Sequence, residues 1–183
     1  MAVGRCMKQR LVARGVPERA IRVIPNWAPS VSGGSSENVG EAFRRAQGWQ
    51  SRFVAMYSGD LELARPLEAL LEAAEQLQAN HPEIVLAFAG EGARLAWAQQ
   101  QVKSRRLTNV QFIPPQPADR QVERLRAADV HVVAMAENLC GLVVPSEVYR
   151  ALGAGRPCLL VGPTASEAAQ VIRQHRGGEV IPE

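Results

Sequence analysis

Three short stretches gather residue types that could hold an anion. In "YSGDLELARP", residues 57–66, Gly59 permits a tight turn and a close approach of ligand to backbone. Arg65 stands immediately before Pro66, a natural first residue for a helix. A helix N-terminus offers unpaired amides and a partial positive charge, and a guanidinium beside it adds a full one, a combination suited to phosphate. The same residues also fit a solvated turn with an incidental arginine, and Asp60 and Glu62 read as solvated loop charges rather than an acid/base pair. In "AGEG", residues 89–92, Gly90 and Gly92 bracket Glu91 and again admit a ligand to the backbone. The third glycine of a dinucleotide fingerprint is missing, so a plain turn explains this stretch as well. In "VPSEVYRALGAGRP", residues 144–157, Pro145 can start a short helix, Ser146 can cap it, and Gly153 and Gly155 end it before Arg156 and Pro157. That confines Ser146, Glu147, Tyr149 and Arg150 to one place. Glu147 and Arg150, three apart, could equally pair on the surface, worth about 0.2–0.5 kcal/mol.

Other chemistries lack their residues. Cys6, Cys140 and Cys158 are odd in number and widely spaced, with no C-x-x-C, and read as buried or incidental thiols rather than a disulfide framework or a zinc site. His81, His131 and His175 show no ligand spacing, and His131 lies inside an apolar strand pattern, so no metal is expected. The net charge of +3 and pI near 9.1 come from arginines spread among glutamates, which argues against a nucleic-acid surface but suits a modest anionic ligand. No apolar run approaches the roughly 18 residues of a membrane span. The start "MAVGRCMKQRL" lacks the apolar stretch of a secretory signal, and a cytoplasmic location is the expectation.

The elements that must position the three stretches follow from periodicity. "GRCMKQRLVARG" predicts a helix with Met7, Leu11 and Val12 on one side, closed by Gly15 and Pro17. "IRVIP" at 21–25 predicts a short strand, and the Gly, Ser and Pro of residues 26–38 predict a loop. Strands and helices then alternate: "RFVAMYSG", "PLEALLEAAEQLQAN", "IVLAFAG", "ARLAWAQQQVKSRR", "VQFI", "DRQVERLRAA", "VHVVAM", "SEVYRALGAG", "PCLLVG", "SEAAQVIRQHRGG" and "EVIP". The strands are continuous apolar runs, as burial under helices on both faces requires. Leu67, Leu70, Leu71, Ala74 and Leu77 form one helical stripe, and Thr164 with Glu167 has the spacing of a capping box. With 183 residues this predicts a single α/β domain built on a Rossmann-like, doubly wound parallel sheet. Ligands of such sheets bind at the carboxyl ends of the strands, which is where all three stretches fall.

The ordered stretches "MKQRLVARGVPERAIRVIPNW", "YSGDL", "LEALLEAAEQL", "FAGEG", "NVQFIPP", "LRAADVHVV" and "VPSEVYRALGAGRP" together resemble the donor-binding half of glycosyltransferase family 4 (group 1) enzymes. These have the GT-B fold, and the likeness is to bacterial exopolysaccharide and colanic-acid-type transferases in particular. The resemblance implies that residues 1–183 form a single donor-binding domain, one half of a GT-B architecture, with the N-terminal acceptor domain outside this chain. It implies a nucleotide-sugar such as a UDP- or GDP-sugar, bound between the halves. Gly59, Asp60 and Arg65 would face its diphosphate; Gly90, Glu91, Gly92 and Ile113 would lie by the nucleoside; Pro145, Ser146, Glu147 and Arg150 would meet ribose and phosphate. Transfer would retain configuration and require no metal or cofactor, with no catalytic residue assignable here. The acceptor would be a glycan or a lipid-linked sugar of polysaccharide biosynthesis, and the absent domain could attach the enzyme peripherally to the inner face of the membrane.

The chain departs from the family pattern at three places. Asp60 and Arg65 occupy the positions of the usual basic pair. The two glutamates separated by seven residues are replaced, the first position falling on Leu142 and the second on Arg150. Glu147 replaces the lysine of a Pro-Ser-Lys. The isolated chain is therefore expected to bind nucleotide weakly and not to turn over. A catalytically inactive GT-B-like module for protein interaction is the alternative from another class, and a sugar-nucleotide epimerase domain a further one.

Overall fold

A computed structural model describes residues 1–28, 39–61, 67–117 and 120–182. Six strands, β1 (Phe53–Ser58), β2 (Ile84–Ala89), β3 (Val110–Ile113), β4 (Val130–Ala134), β5 (Cys158–Val161) and β6 (Gly178–Ile181), pair in parallel throughout. Their order is β3-β2-β1-β4-β5-β6, so the direction of winding reverses between β1 and β4. This is the α/β, Rossmann-like doubly wound sheet expected from the apolar runs.

Side chains alternate across the sheet, and each face has its own cover. Tyr57, Leu86, Phe88, Val110, Val132 and Ala134 point to the face covered by α3 (Leu67–Asn80) and α4 (Leu95–Ser104). Leu67 and Leu71 are fully buried there, each worth roughly 1.5–3 kcal/mol, whereas Leu77 at the end of the stripe is only half-buried. Phe88 bridges this layer, stacked on Phe112 with centroids 5.5 Å apart and tilted against Tyr57 at 5.7 Å. The opposite face carries α2 (Glu41–Gln47) and α5 (Gln121–Ala127) over Val54, Met56, Val85 and Ala87. Further along that face, α6 (Ser146–Gly153) and α7 (Glu167–Gln174) cover Val133, Cys158 and Leu160.

Several local expectations are corrected. Residues 21–25 form no strand: Ala2 makes a single parallel bridge with Val23, donating to the Arg22 carbonyl and accepting from Ile24, both at 2.9 Å. Pro25, without an amide hydrogen, cannot extend the pairing. Helix α1 (Arg5–Ala13) forms, but its buried residue is Cys6, and Val12 stays 40% exposed. Helix α2 was not read from the sequence; Phe43 anchors it against Trp49, centroids 5.9 Å apart. The capping box at Thr164 is absent, because Ser166 is the residue in extended conformation before α7 and its Oγ accepts the Ala169 amide at 3.2 Å. Ser146 does not cap α6 either: Pro145 holds the cap position and Ser146 is the first helical residue. The predicted loop at 26–38 lies outside the described residues from 29 onward.

Candidate functional site

The carboxyl rim is built by backbone meeting backbone. Because Ser58 pairs with Ala89, Gly59 and Gly90 continue side by side past the ends of β1 and β2. A Cβ at Gly90 would stand 1.9 Å from the Gly59 carbonyl oxygen, so only glycine fits. Gly92 has φ +151, and a Cβ there would stand 2.5 Å from the Leu61 carbonyl oxygen. The two turns are stitched through buried Leu61, whose amide donates to the Glu91 carbonyl at 2.8 Å and whose carbonyl accepts from the Arg94 amide at 3.0 Å. Tyr57 adds its hydroxyl, donating to the Asp60 carbonyl at 3.1 Å. The Leu61 amide is therefore spent inside the protein rather than offered to a ligand.

The third stretch joins this rim. The N-terminus of α6 brings Glu147 over Gly59, whose added Cβ would lie 2.6 Å from Glu147 Oε1. Pro145 is buried, Ser146 and Glu147 half-buried. The side chains that fix the helix are Val148 and Ala151, fully buried in the layer over β4 and β5. Arg150 is exposed and makes no ion pair among the described residues. It adds to the burial that holds the Arg124 guanidinium below its usual value. Arg65 and Glu62 lie outside the described residues.

Beyond β3, Ile113 is buried and the chain turns through Pro114 and Pro115. A cavity of about 210 Å³ opens here against Gly90, Glu91, Leu95 and Phe112, so the second stretch and Ile113 share one hollow. Tyr149 faces elsewhere, into a separate cavity of about 640 Å³ lined also by Val23, Pro25, Leu152, Glu167 and Val171.

The charges on the described rim are mostly negative. Asp60, Glu91 and Glu147 all belong to it. The nearby cation Arg94 is committed to Glu68, bonding Oε2 at 3.0 Å and Oε1 as well, and lies 3.9 Å over the Trp97 ring. Its guanidinium holds the Glu68 carboxyl below the ordinary range. Leu61, Tyr57 and Arg94 were missed in the sequence, although "YSGDL" and the arginine after Gly92 were in view; their roles depend on how two distant turns meet. Among the described residues no group of three or more His, Cys, Asp or Glu could hold a metal, and no helix is long and apolar enough to cross a membrane.

The sequence and the fold have counterparts among known proteins. The chain is 25% identical over 186 residues to the putative colanic acid biosynthesis glycosyl transferase WcaI of Escherichia coli (strain K12), covering 99% of this chain and 44% of that protein. It is 23% identical over 172 residues to the probable glycosyltransferase WbjE of Pseudomonas aeruginosa, covering 94% of this chain and 42% of that one. The chain thus spans less than half the length of these curated relatives. Among solved structures, Anabaena Alr3699/HepE in complex with UDP matches the fold with a TM-score of 0.78 at 16% identity, over 99% of this chain and 49% of that one. The sequence profile described as "Glycosyl transferases group 1" matches residues 40–181, and the chain belongs to that family.

Proposed function

We propose that the chain is the donor-binding domain of a retaining glycosyltransferase, which passes a sugar from a nucleotide-sugar to a glycan or lipid-linked acceptor in polysaccharide biosynthesis. The observation that supports this reading is the rim itself: two glycine turns pack backbone to backbone past the carboxyl ends of β1 and β2, and the N-terminus of α6 closes beside them. Turns and a helix N-terminus brought together in this way are where main-chain amides meet a diphosphate, with the Glu147 carboxylate moving aside to admit it. The hollow beside Gly90, Leu95 and Ile113 has an apolar wall suited to a flat base. UDP is the ligand of the Anabaena structure, which supplies the class of nucleotide to try first. The acceptor domain lies outside this chain, no metal or cofactor takes part, and the chain alone binds nucleotide without turnover. The reaction runs in the cytoplasm, at the inner membrane face where the acceptor is lipid-linked.

Arg65 is the cation this reading needs, since Asp60, Glu91 and Glu147 would otherwise repel a diphosphate. Isothermal titration of the chain with UDP and with GDP measures the affinity, and Arg65→Ala should weaken it by about 1.5–3 kcal/mol, the value of a hydrogen bond to a charged group. Equal affinity of wild type and variant removes Arg65 from the site. The same three carboxylates favour a second reading, an inactive GT-B-like module serving a protein partner. In that case neither nucleotide binds or raises the thermal midpoint.

A further inference from the structure

Helix α1 has one buried residue, Cys6, and it meets the loop between β4 and α6. Gly141 sits so close that a Cβ on it would stand 3.0 Å from the Cys6 carbonyl oxygen and 3.4 Å from Arg10 Cβ. One turn further along α1, Arg10 Nη1 donates to the Cys140 carbonyl at 3.0 Å. Cys140 is thereby pinned to the helix turn that carries Cys6. The two thiols are near enough to interact: burial raises the Cys140 pKa, and Cys6 adds to the rise, as does Glu137, against a small opposite effect from Arg10. Both are free thiols, Cys6 buried and Cys140 half-buried. The third cysteine differs: Cys158 is 1% exposed, and burial pushes its thiol up to about 12.

We propose that Cys6 and Cys140 form a disulfide when the protein meets a hydroperoxide, fastening α1 to the loop that leads into α6. The half-buried Cys140 reacts first. Its sulfur attacks one oxygen of hydrogen peroxide; an S–O bond forms, the O–O bond breaks, and the thiol proton leaves with the departing hydroxide as water. Cys6 then attacks the Cys140 sulfur; the S–S bond forms, the S–O bond breaks, and the released hydroxide takes the Cys6 proton as a second water. The peroxide takes up the electrons that the sulfurs lose. The raised Cys140 pKa keeps the thiolate scarce at neutral pH, so the first step is slow and calls for an excess of peroxide.

The link changes the attachment of α1 in kind. Beside the buried Cys6, its polar ties among the described residues are Arg5 to Glu167, Lys8 to Glu18 and Arg10 to the Cys140 carbonyl, none of them covalent. Cys6 and Cys140 are far apart in the chain, so joining them removes much of the unfolded state's freedom and should raise the thermal midpoint.

Peptide mapping of the intact chain tests this. After treatment with hydrogen peroxide and capping of residual thiols with iodoacetamide, trypsin releases Cys6 in peptide 6–8 and Cys140 in peptide 127–150. The expected product joins these two peptides, disappears on reduction, and accompanies a higher thermal midpoint while Cys158 remains a thiol. Separate alkylation or separate oxidation of Cys6 and Cys140, a link to Cys158, or links between molecules overturns the proposal. Cys140→Ser, checked by circular dichroism to be folded, must lose both the joined peptide and the rise in midpoint. A rise that persists in this variant also overturns it.

Discussion

Gly59 and Gly90 face each other across the rim, yet their substitutions have unlike consequences. An alanine at 59 meets the far end of Glu147 at 2.6 Å, a flexible side chain that can swing away. An alanine at 90 meets the Gly59 carbonyl oxygen at 1.9 Å, where backbone must move. Gly90→Ala should therefore cost at least about 1–3 kcal/mol in stability, the usual range for overpacking, and Gly59→Ala much less. Urea denaturation of the two variants checks this, and equal midpoints would contradict the packing described. Both glycines were legible in the sequence because each directly follows an apolar run, where a turn must begin. The meeting of Glu147 with Gly59 was not legible, since it joins residues far apart in the chain and depends on how α6 lies over the sheet. Nor was the fate of the Leu61 amide, which is settled by the turn after β2.

At the scale of elements, apolar runs were sufficient for β1 to β6, and the stripe from Leu67 to Ala74 for α3. Helix α2 escaped because "EAFRRAQ" has a single large apolar residue, Phe43, too short a record for a helical period to show. Its stability comes from tertiary contacts: Arg44 donates to the carbonyls of Ala127, Trp49 and Arg52 and pairs with Asp129 at 3.0 Å. The cap of α7 was misassigned for the opposite reason, because Thr164 and Glu167 match a local signature although Ser166 is the residue that caps the helix. The two residues separate experimentally. Ser166→Ala removes the bond to the Ala169 amide from a site only 1% exposed and should cost about 0.5–2 kcal/mol. Thr164→Ala should cost little, because Thr164 contributes its main-chain carbonyl, bonded by Arg173 at 2.7 Å. Thermal melts of both variants give the comparison, and a larger loss at 164 would restore the capping box.

For the molecule as a whole, acid stability depends in part on His131. It is 2% exposed in β4, with Nε2–H donating to the Leu125 carbonyl at 2.9 Å. Burial holds its pKa at about 4 against an ordinary 6.5; Arg124 and Arg156 push the same way and the Leu125 carbonyl opposes them. An unfolded chain thus takes up this proton near 6.5 and the folded one only near 4. The contribution to stability is full above the unfolded value and is lost as pH falls toward the folded one, about 3 kcal/mol in all. His131→Gln retains an N–H donor without the titration, so its unfolding free energy should fall less steeply across that window; an unchanged slope would exclude His131 as the cause.

The position of β1 between β2 and β4 bears on how the chain assembles as it is synthesised. Strand β2 follows β1 closely and can pair with it early, and β3 can then add to β2, whereas the other edge of β1 must wait for β4, after three helices and two strands have emerged. Until then a row of apolar residues around Val54 and Met56 stands beside an unpaired strand edge, a surface to which another nascent copy could add. Pairing β1 with β4 closes the longer loop at the greater entropic cost, and addition of another chain to the waiting edge competes with it as concentration rises.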